Sequence, residues 1–310
     1  MKNIKEIRDL INNTFAEQLN LHLYLGVNDK DLNNKDLKYL HADLDLKSTE
    51  SILKEYAGSI KSYFSSDDLS LLPLSEIDGR SDVFLKYDFK EKPTAFSNLL
   101  KLCAKENPAK FNFADRSILD VKTLAIKISS DKISILFFKQ LYPVSLVKQN
   151  QILLMKSGER FQSLESDILK ISGGFDLMIL NNDFYITSLK KFEASFGFDK
   201  IAKNAQQETS ANILALGIVD DLMDYLANGF APKRDMLRVA KSEIVNNGGI
   251  GILQFVTNNK TRFKLNIVNG KIQLTSKESV KTFIKMLNDD YLKSEISGYN
   301  YDSLAKDKML

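Results

Sequence analysis

Apolar residues recur at helical spacing in several long segments of the chain. In Leu46–Phe64, the residues Ile52, Tyr56 and Ile60 fall on one face, which predicts an amphipathic helix. Another helix is predicted to begin at Pro93, because proline suits the first turn of a helix.

The longest predicted helix covers Phe198–Asn228. Ile218, Leu222 and Leu226 belong to its apolar repeat of about 3.6 residues, and Gly229 is expected to end it.

Two pairs of short apolar runs predict β-hairpins in the middle of the chain. The first pair is Leu124–Ile128 and Ile133–Phe138, separated by four polar residues. The second pair, Phe175–Leu180 and Phe184–Thr187, is separated by Asn181–Asp183, and asparagine tolerates the positive φ of tight turns. The pattern therefore predicts an α+β fold, a meandering antiparallel sheet with flanking helices, plus a smaller α/β N-terminal region. We expect a region of unknown role at residues 1–110 and a longer domain at 111–310.

Composition excludes several classes of protein. The chain has 310 residues, of which 44% are hydrophobic and 27% charged, so it is neither collagen-like nor wholly disordered. The single cysteine excludes a disulfide framework and a thiolate zinc site, and two histidines leave little material for histidine-rich metal chemistry. The sequence shows neither a secretory signal nor an apolar run of the roughly 18 residues that a membrane span needs. We therefore expect a cytoplasmic protein.

Charge is divided unevenly along the chain. The net charge is +3 overall, but residues 1–90 carry 12 basic and 16 acidic residues. Residues 227–285 carry 11 basic residues and only three acidic ones. Such an asymmetry is expected for a protein with an anionic partner, of which nucleic acid is the first candidate. A lysine-rich solvated surface is the alternative.

The cations of this basic part follow the predicted elements. A helix starting at Pro232 would carry Arg234, Arg238 and Lys241 as one outward stripe, with Leu237 on an adjacent face that can be buried.

A hairpin with an Asn269–Gly270 turn follows this helix. Its outward face would present Arg262 and Lys264 on the first strand and Lys271 on the second.

Thr275 and Glu278 predict a capping box for a further helix, on which Lys277, Lys281 and Lys285 form an outward stripe. We expect these eight cations to contact DNA phosphates: Arg234, Arg238, Lys241, Arg262, Lys264, Lys271, Lys277 and Lys281.

Three other patterns suggest chemistry only weakly. Asp220–Asp224 spells the DDxxD motif of magnesium–diphosphate enzymes, but the second acidic box is absent, and a solvated acidic helix face is the simpler interpretation. His41, Asp43 and Asp45 would share one face of a strand, but two carboxylates on a wet strand are ordinary. Gly248–Gly251 lacks the lysine of a phosphate-binding loop and reads as a helix stop and turn. We therefore expect no metal and no cofactor.

No catalytic motif was found, so the sequence favours a protein that is not an enzyme. Two alternatives stay open. Acidic residues scattered over the sheet could serve a metal-dependent nuclease or another phosphodiesterase. The basic face could instead belong to a structural adaptor that meets an acidic protein or an anionic lipid.

The order of features over residues 110–310 resembles a known family. Phe175–Asp176 leads to Lys191–Glu193 and Phe196–Phe198, and the chain later reads Asn288–Ser294, followed by Gly298, Tyr299, Tyr301 and Lys306. This order is similar to that of the KwaB family of the Kiwa bacterial anti-phage defence system.

The resemblance implies a DNA-binding effector that blocks phage DNA replication and expression. It also implies a small transmembrane partner resembling KwaA, which would recruit the protein to the inner membrane, and a homodimeric assembly. The family offers no motif of functional residues to carry over, so the eight cations rest on their spacing alone.

Overall fold

The computed structural model describes residues 3–28, 37–78, 80–104, 108–142, 146–147, 154–157, 160–163, 168–219, 233–246, 248 and 250–303. The chain forms two compact units, and each is discontinuous in sequence. The first consists of residues 1–71 and 92–197, and the second of residues 72–91 and 198–310. The chain therefore passes from one unit to the other at 71/72, 91/92 and 197/198, whereas the sequence suggested one boundary at 110/111.

The strands are short and most of them pair as antiparallel neighbours. Their bounds, in chain order, are β1 Asn20–Asn28, β2 Leu37–His41, β3 Ser70–Pro73, β4 Val83–Lys86, β5 Val121–Ser129, β6 Ser134–Gln140, β7 Leu146–Val147, β8 Leu154–Ser157, β9 Arg160–Ser163, β10 Ile168–Leu169, β11 Leu177–Leu180, β12 Asp183–Ile186, β13 Asn266–Val268, β14 Lys271–Gln273, β15 Tyr291–Lys293 and β16 Asn300–Asp302.

The first unit contains a meandering sheet in the order β2-β1-β5-β6-β11-β12, and every pairing within this part is antiparallel. The central strands are buried on both faces, so they read as continuous apolar runs such as Ile135–Phe138. The α+β fold class and the antiparallel sheet with flanking helices are confirmed.

Both predicted hairpins of the middle region are present. Ser129 pairs with Ser134 at the end of the β5–β6 hairpin, and Leu180 pairs with Asp183 in the β11–β12 hairpin. Asn181 and Asn182 have φ values of 52° and 64°, which is the backbone that a two-residue turn requires. The asparagines therefore fix the register of the second hairpin.

The helices flank the sheet in the first unit and form most of the second unit. Their bounds are α1 Ile4–Thr14, α2 Leu46–Phe64, α3 Ala95–Cys103, α4 Leu189–Phe196, α5 Phe198–Ala215, α6 Lys233–Val239, α7 Glu243–Asn246, α8 Ile250–Asn258, α9 Lys260–Phe263 and α10 Lys277–Leu287. Helix α2 has the predicted bounds and buries Ile52, Tyr56, Ile60 and Phe64.

The helix predicted for Phe198–Asn228 does not continue through residues 216–219, and residues 220–228 lie outside the described residues. Helix α5 ends at Ala215, and Gly217 adopts a φ of 68°, which ends the helical hydrogen-bonding pattern. Ile218 and Val219 are buried beyond the helix, and Val219 forms a parallel bridge with Ile272. The acidic Asp220–Asp224 motif lies outside the described residues, as does Pro232.

Aromatic rings hold α3, α4 and the sheet of the first unit together. Phe96 stacks on Phe184 with ring centroids 3.8 Å apart, and Phe192 and Phe196 pack against the same ring of Phe96. Phe192 and Phe196 are the two phenylalanines of the Phe-Glu-x-x-Phe segment on which the resemblance rests. Both are buried, so this segment serves packing.

Candidate nucleic-acid interface

Helix α10 presents lysines on one side and an apolar face on the other. Val280, Phe283, Ile284 and Leu287 are buried in the core of the second unit. Lys277 and Lys281 lie one turn apart on the outward face and are both exposed.

The cap of α10 differs by one residue from the predicted Thr275–Glu278 box. Ser276 is the N-cap residue, and its side chain accepts a hydrogen bond from the backbone N–H of Ser279. The hydroxyl of Ser279 in turn accepts one from the N–H of Ser276, which completes the same reciprocal arrangement.

The predicted hairpin exists, but its first strand is shorter than expected. Asn269 and Gly270 form the turn with φ values of 51° and 75°, and β13 starts only at Asn266. Arg262 belongs to helix α9, and Lys264 ends this helix in the left-handed conformation with a φ of 52°. The prediction that Arg262 and Lys264 lie on one face of a strand is therefore wrong.

Arg262 and Lys264 are nevertheless both exposed. The guanidinium carbon of Arg262 lies 4.6 Å from the ring centroid of Phe263 and 5.6 Å from that of Tyr291. A cation at this distance from a ring is attracted to its face. The rings therefore restrict the guanidinium while it stays accessible to a ligand. Lys271 lies on β14, where it pairs with Val268 of β13, and its side chain is half-buried.

Arg238 does not point outward as the stripe on α6 predicted. Its Nη2 lies 2.6 Å from Oδ1 of Asp290, and the side chains of the two residues are only 11% and 2% exposed. Asp235 lies on the other side of the guanidinium, with an N···O distance of 3.9 Å. A buried cation is tolerated when it is paired in this way. The outward position predicted for Arg238 is therefore wrong.

The other two residues of that stripe have different positions. The backbone of Arg234 belongs to α6, while its side chain lies outside the described residues. Lys241 follows the helix and is half-exposed, with its Nζ 3.3 Å from Oδ2 of Asp88. The predicted single stripe is therefore not formed.

Further charged groups surround the Arg238–Asp290 pair. Burial raises the pKa of Asp235, and Asp290 raises it further, whereas Arg238, Lys285 and Lys281 oppose the shift. Burial alone would lower the pKa of Lys285, but its hydrogen bond and charge interaction with Asp302 outweigh burial, and the pKa is raised. Lys285 is therefore engaged with protein carboxylates at neutral pH.

Those of the predicted cations that are exposed and lie apart from these pairs define what we call the α9–α10 cationic surface. It consists of Arg262, Lys264, Lys277 and Lys281. These residues fall within 20 residues of sequence, on α9, at its end and on α10. The surface can attract and contact an anionic ligand such as a phosphate backbone.

The carboxylates of Asp43 and Asp45, which the sequence suggested as metal ligands, both have protein partners. The carboxylate of Asp43 pairs with Lys110, and that of Asp45 caps α2 through the backbone N–H of Ser48. Among the described residues, no cluster of three or more histidine, cysteine, aspartate or glutamate side chains is arranged to hold a metal ion. Within the same part of the chain, no helix is both long and apolar enough to cross a bilayer.

Sequence reasoning missed both partners of the buried pair. Arg238 stands between Leu237 and Val239, which are both buried, and this neighbourhood was the available signal. Asp290 follows an amphipathic helix directly, but nothing in the local sequence shows that its side chain turns inward.

Comparison with known proteins gave two matches. The family model described as Kiwa protein KwaB-like matches residues 118–297 of the chain. The chain is also 25% identical over 273 residues to Kiwa protein KwaB of Escherichia coli O55:H7 (strain RM12579 / EPEC), a match that spans 84% of this chain and 86% of that protein. No solved structure matches the chain at a significant level. The matched family range contains all eight predicted cations and both residues of the Arg238–Asp290 pair.

Proposed function

Because the chain belongs to the Kiwa protein KwaB-like family, we propose that it is an anti-phage defence protein that binds DNA through the α9–α10 cationic surface. Binding to phage DNA would block its replication and expression. The role in anti-phage defence rests on the family, whereas DNA binding rests on the α9–α10 cationic surface and can be tested separately.

One observation carries the DNA-binding part of the proposal. Arg262, Lys264, Lys277 and Lys281 are exposed, while most of the apolar side chains between them are buried, namely Phe263, Leu265, Ile272, Leu274 and Val280. A phosphate contact requires a cation that is accessible and whose charge is not already neutralised by a buried carboxylate. Arg238 and Lys285 fail this requirement, and the four surface residues meet it.

The expected mode of binding is contact with the phosphate backbone. Each neutralised phosphate releases condensed counterions, so the logarithm of the affinity falls linearly with the logarithm of the salt concentration, by about 0.9 per contact. We expect similar affinity for duplexes of unrelated sequence, because phosphates are common to all of them.

The test is fluorescence anisotropy with two unrelated labelled duplexes over a salt series. The test variant changes Arg262, Lys264, Lys277 and Lys281 together to Gln. We expect weaker binding on both duplexes and a salt slope reduced by about two to four units. The matched control changes four exposed lysines of the first unit to Gln, namely Lys47, Lys54, Lys61 and Lys101.

The control removes the same total charge from a different surface, so it should keep most of the slope. A further control, Glu278→Gln, removes an exposed negative charge on α10 and should strengthen binding slightly. Wild-type affinity and slope in a test variant that melts normally would contradict the proposed surface.

We propose binding without cleavage. Incubating the protein with labelled single-stranded and duplex DNA in the presence of Mg²⁺ or Mn²⁺ should leave the DNA intact. Metal-dependent products that disappear when one carboxylate is substituted would establish the nuclease alternative instead. Absence of DNA retention at low salt would favour a structural adaptor.

A membrane partner and a homodimer form part of the same proposal and rest on the family alone. The protein expressed by itself should fractionate as soluble, and co-expression with a small transmembrane partner resembling KwaA should move it to the membrane fraction. Membrane association without the partner would point to direct contact of the cations with anionic lipid.

A further inference from the structure

The only two histidines of the chain face each other on the sheet of the first unit. Nδ1 of His22 lies 3.5 Å from Nε2 of His41, although 19 residues separate them in sequence. Their ring centroids are 5.6 Å apart, and the ring of Tyr24 packs against both imidazoles.

The strand register brings this pair together. β1 and β2 are antiparallel, and Tyr24 lies directly opposite His41. His22 is two residues before Tyr24 on the same strand, so its side chain is on the same face and diagonal to His41. The pair is thus built into two hydrogen-bonded strands.

The separation of the two nitrogens is long for a hydrogen bond. N–H donors usually lie about 2.7–3.2 Å from their acceptors. Two imidazole nitrogens bound to one tetrahedral Zn²⁺, each at about 2.0–2.1 Å, lie about 3.4 Å apart by geometry. The observed 3.5 Å is therefore at the outer limit of a hydrogen bond and close to the separation of two ligands of one metal ion.

The imidazole of His22 is half-buried, and the cation of Lys127 lies near it. The Nζ of Lys127 donates to the backbone carbonyls of Leu102, Cys103 and Ala104, which directs this charge to the end of α3.

We propose that His22 and His41 bind one divalent transition-metal ion, of the class that prefers imidazole ligands (Zn²⁺, Cu²⁺ or Ni²⁺), through Nδ1 and Nε2. Water completes the coordination, since the nearby carboxylate of Asp43 is engaged by Lys110. Such an ion links β1 to β2 through side chains in addition to the backbone ladder. Having only two protein ligands, with the cation of Lys127 nearby, limits the affinity of the site.

The test uses the full chain without a histidine tag and titrates it with Zn²⁺ against a chelating indicator. We expect one ion per chain, and at least tenfold weaker binding in His22→Gln and in His41→Gln. Zn²⁺ should raise the melting temperature of the wild type but not of these variants. Asp43→Asn and Cys103→Ser are matched controls in the same unit and should bind as the wild type does.

A second measurement needs no variant. The electron paramagnetic resonance spectrum of the wild-type protein with one equivalent of Cu²⁺ should show coupling to two imidazole nitrogens. A spectrum without nitrogen coupling, or unchanged Zn²⁺ binding in both folded histidine variants, would overturn the proposal.

Discussion

Arg238 and Asp290 form a buried ion pair with 2.6 Å between Nη2 and Oδ1, although 52 residues separate them in sequence. The pair joins helix α6 to the residue that precedes β15. Asp290 is the first residue of the Asp-Tyr-Leu-x-Ser segment, and its burial makes it part of the interior of the second unit.

Removing one partner of this pair should destabilise the protein strongly. Asp290→Ala leaves the guanidinium of Arg238 buried without its main counter-charge, and we expect the free energy of unfolding to fall by about 3–5 kcal/mol. Urea denaturation followed by circular dichroism measures the change. The exposed Glu295→Ala is the control and should cost no more than about 0.5 kcal/mol.

The double variant Arg238→Met/Asp290→Leu distinguishes a lost charge partner from lost packing. It removes both charges of the buried pair, and the half-buried Asp235 keeps Lys281 and Lys285 nearby, so the double variant should be more stable than Asp290→Ala alone. Equal losses in Asp290→Ala and Glu295→Ala would show that the pair contributes nothing to stability.

Asp176 should be more sensitive to substitution than its partner Lys191. The carboxylate of Asp176 is buried, lies 2.7 Å from Nζ of Lys191 and accepts a hydrogen bond from the backbone N–H of Gln140. Asp176→Ala leaves that N–H without its acceptor, which should cost about 1–3 kcal/mol.

Lys191→Ala should cost less, because the side chain of Lys191 is 36% exposed and water can replace part of the interaction. Urea denaturation of both variants provides the comparison. A larger loss for Lys191→Ala than for Asp176→Ala would contradict the ordering.

Two glycines should respond in opposite directions to the same substitution. A Cβ on Gly26 would lie 2.1 Å from Oγ1 of Thr123 on the neighbouring strand, so Gly26→Ala should destabilise the protein by about 1–3 kcal/mol. Gly58 is within α2 and has open space around its Cα. Gly58→Ala should therefore stabilise the protein by about 0.5–1 kcal/mol through its higher helix propensity. Thermal melts of both variants give the sign of each change.

The thiol of Cys103 should react slowly in the folded protein. Burial raises its pKa to about 11, against a smaller opposing effect of Lys127, so it is protonated at pH 8. The thiolate is the reactive species, and a protonated thiol in a half-buried site is a poor nucleophile. Absorbance after addition of a disulfide reagent should rise slowly for the native chain and rapidly in urea, and equal rates would contradict this prediction.

The sequence was enough to predict those elements whose conformation depends on neighbouring residues alone. The positive φ values at Asn181 and Asn182 follow from residues that tolerate this backbone, and α2 follows from its apolar face. The predicted length of α5 failed because an apolar repeat continues into Ile218 and Val219, which are buried outside the helix. Gly217, with its positive φ, was the signal for the end.

The candidate site was predictable only where the position of a side chain depends on one helix and not on contacts with residues distant in sequence. The exposure of Lys277 and Lys281 follows from the periodicity of a single helix. The burial of Arg238 depends on Asp290, a partner far away in sequence that no local pattern identifies. The His22–His41 contact likewise depends on the register of two strands.

The division of each unit into two sequence segments has a consequence for synthesis on the ribosome. Residues 72–91 belong to the second unit but are translated about a hundred residues before Phe198, which packs against Tyr87 and Phe89. At about 5–20 residues per second, this segment waits on the order of 5–20 s for its partners. During that time Tyr87 and Phe89 lack their native ring partner, so the nascent chain passes through an interval in which chaperones can bind it. A stop codon after residue 197 would make the exposure permanent.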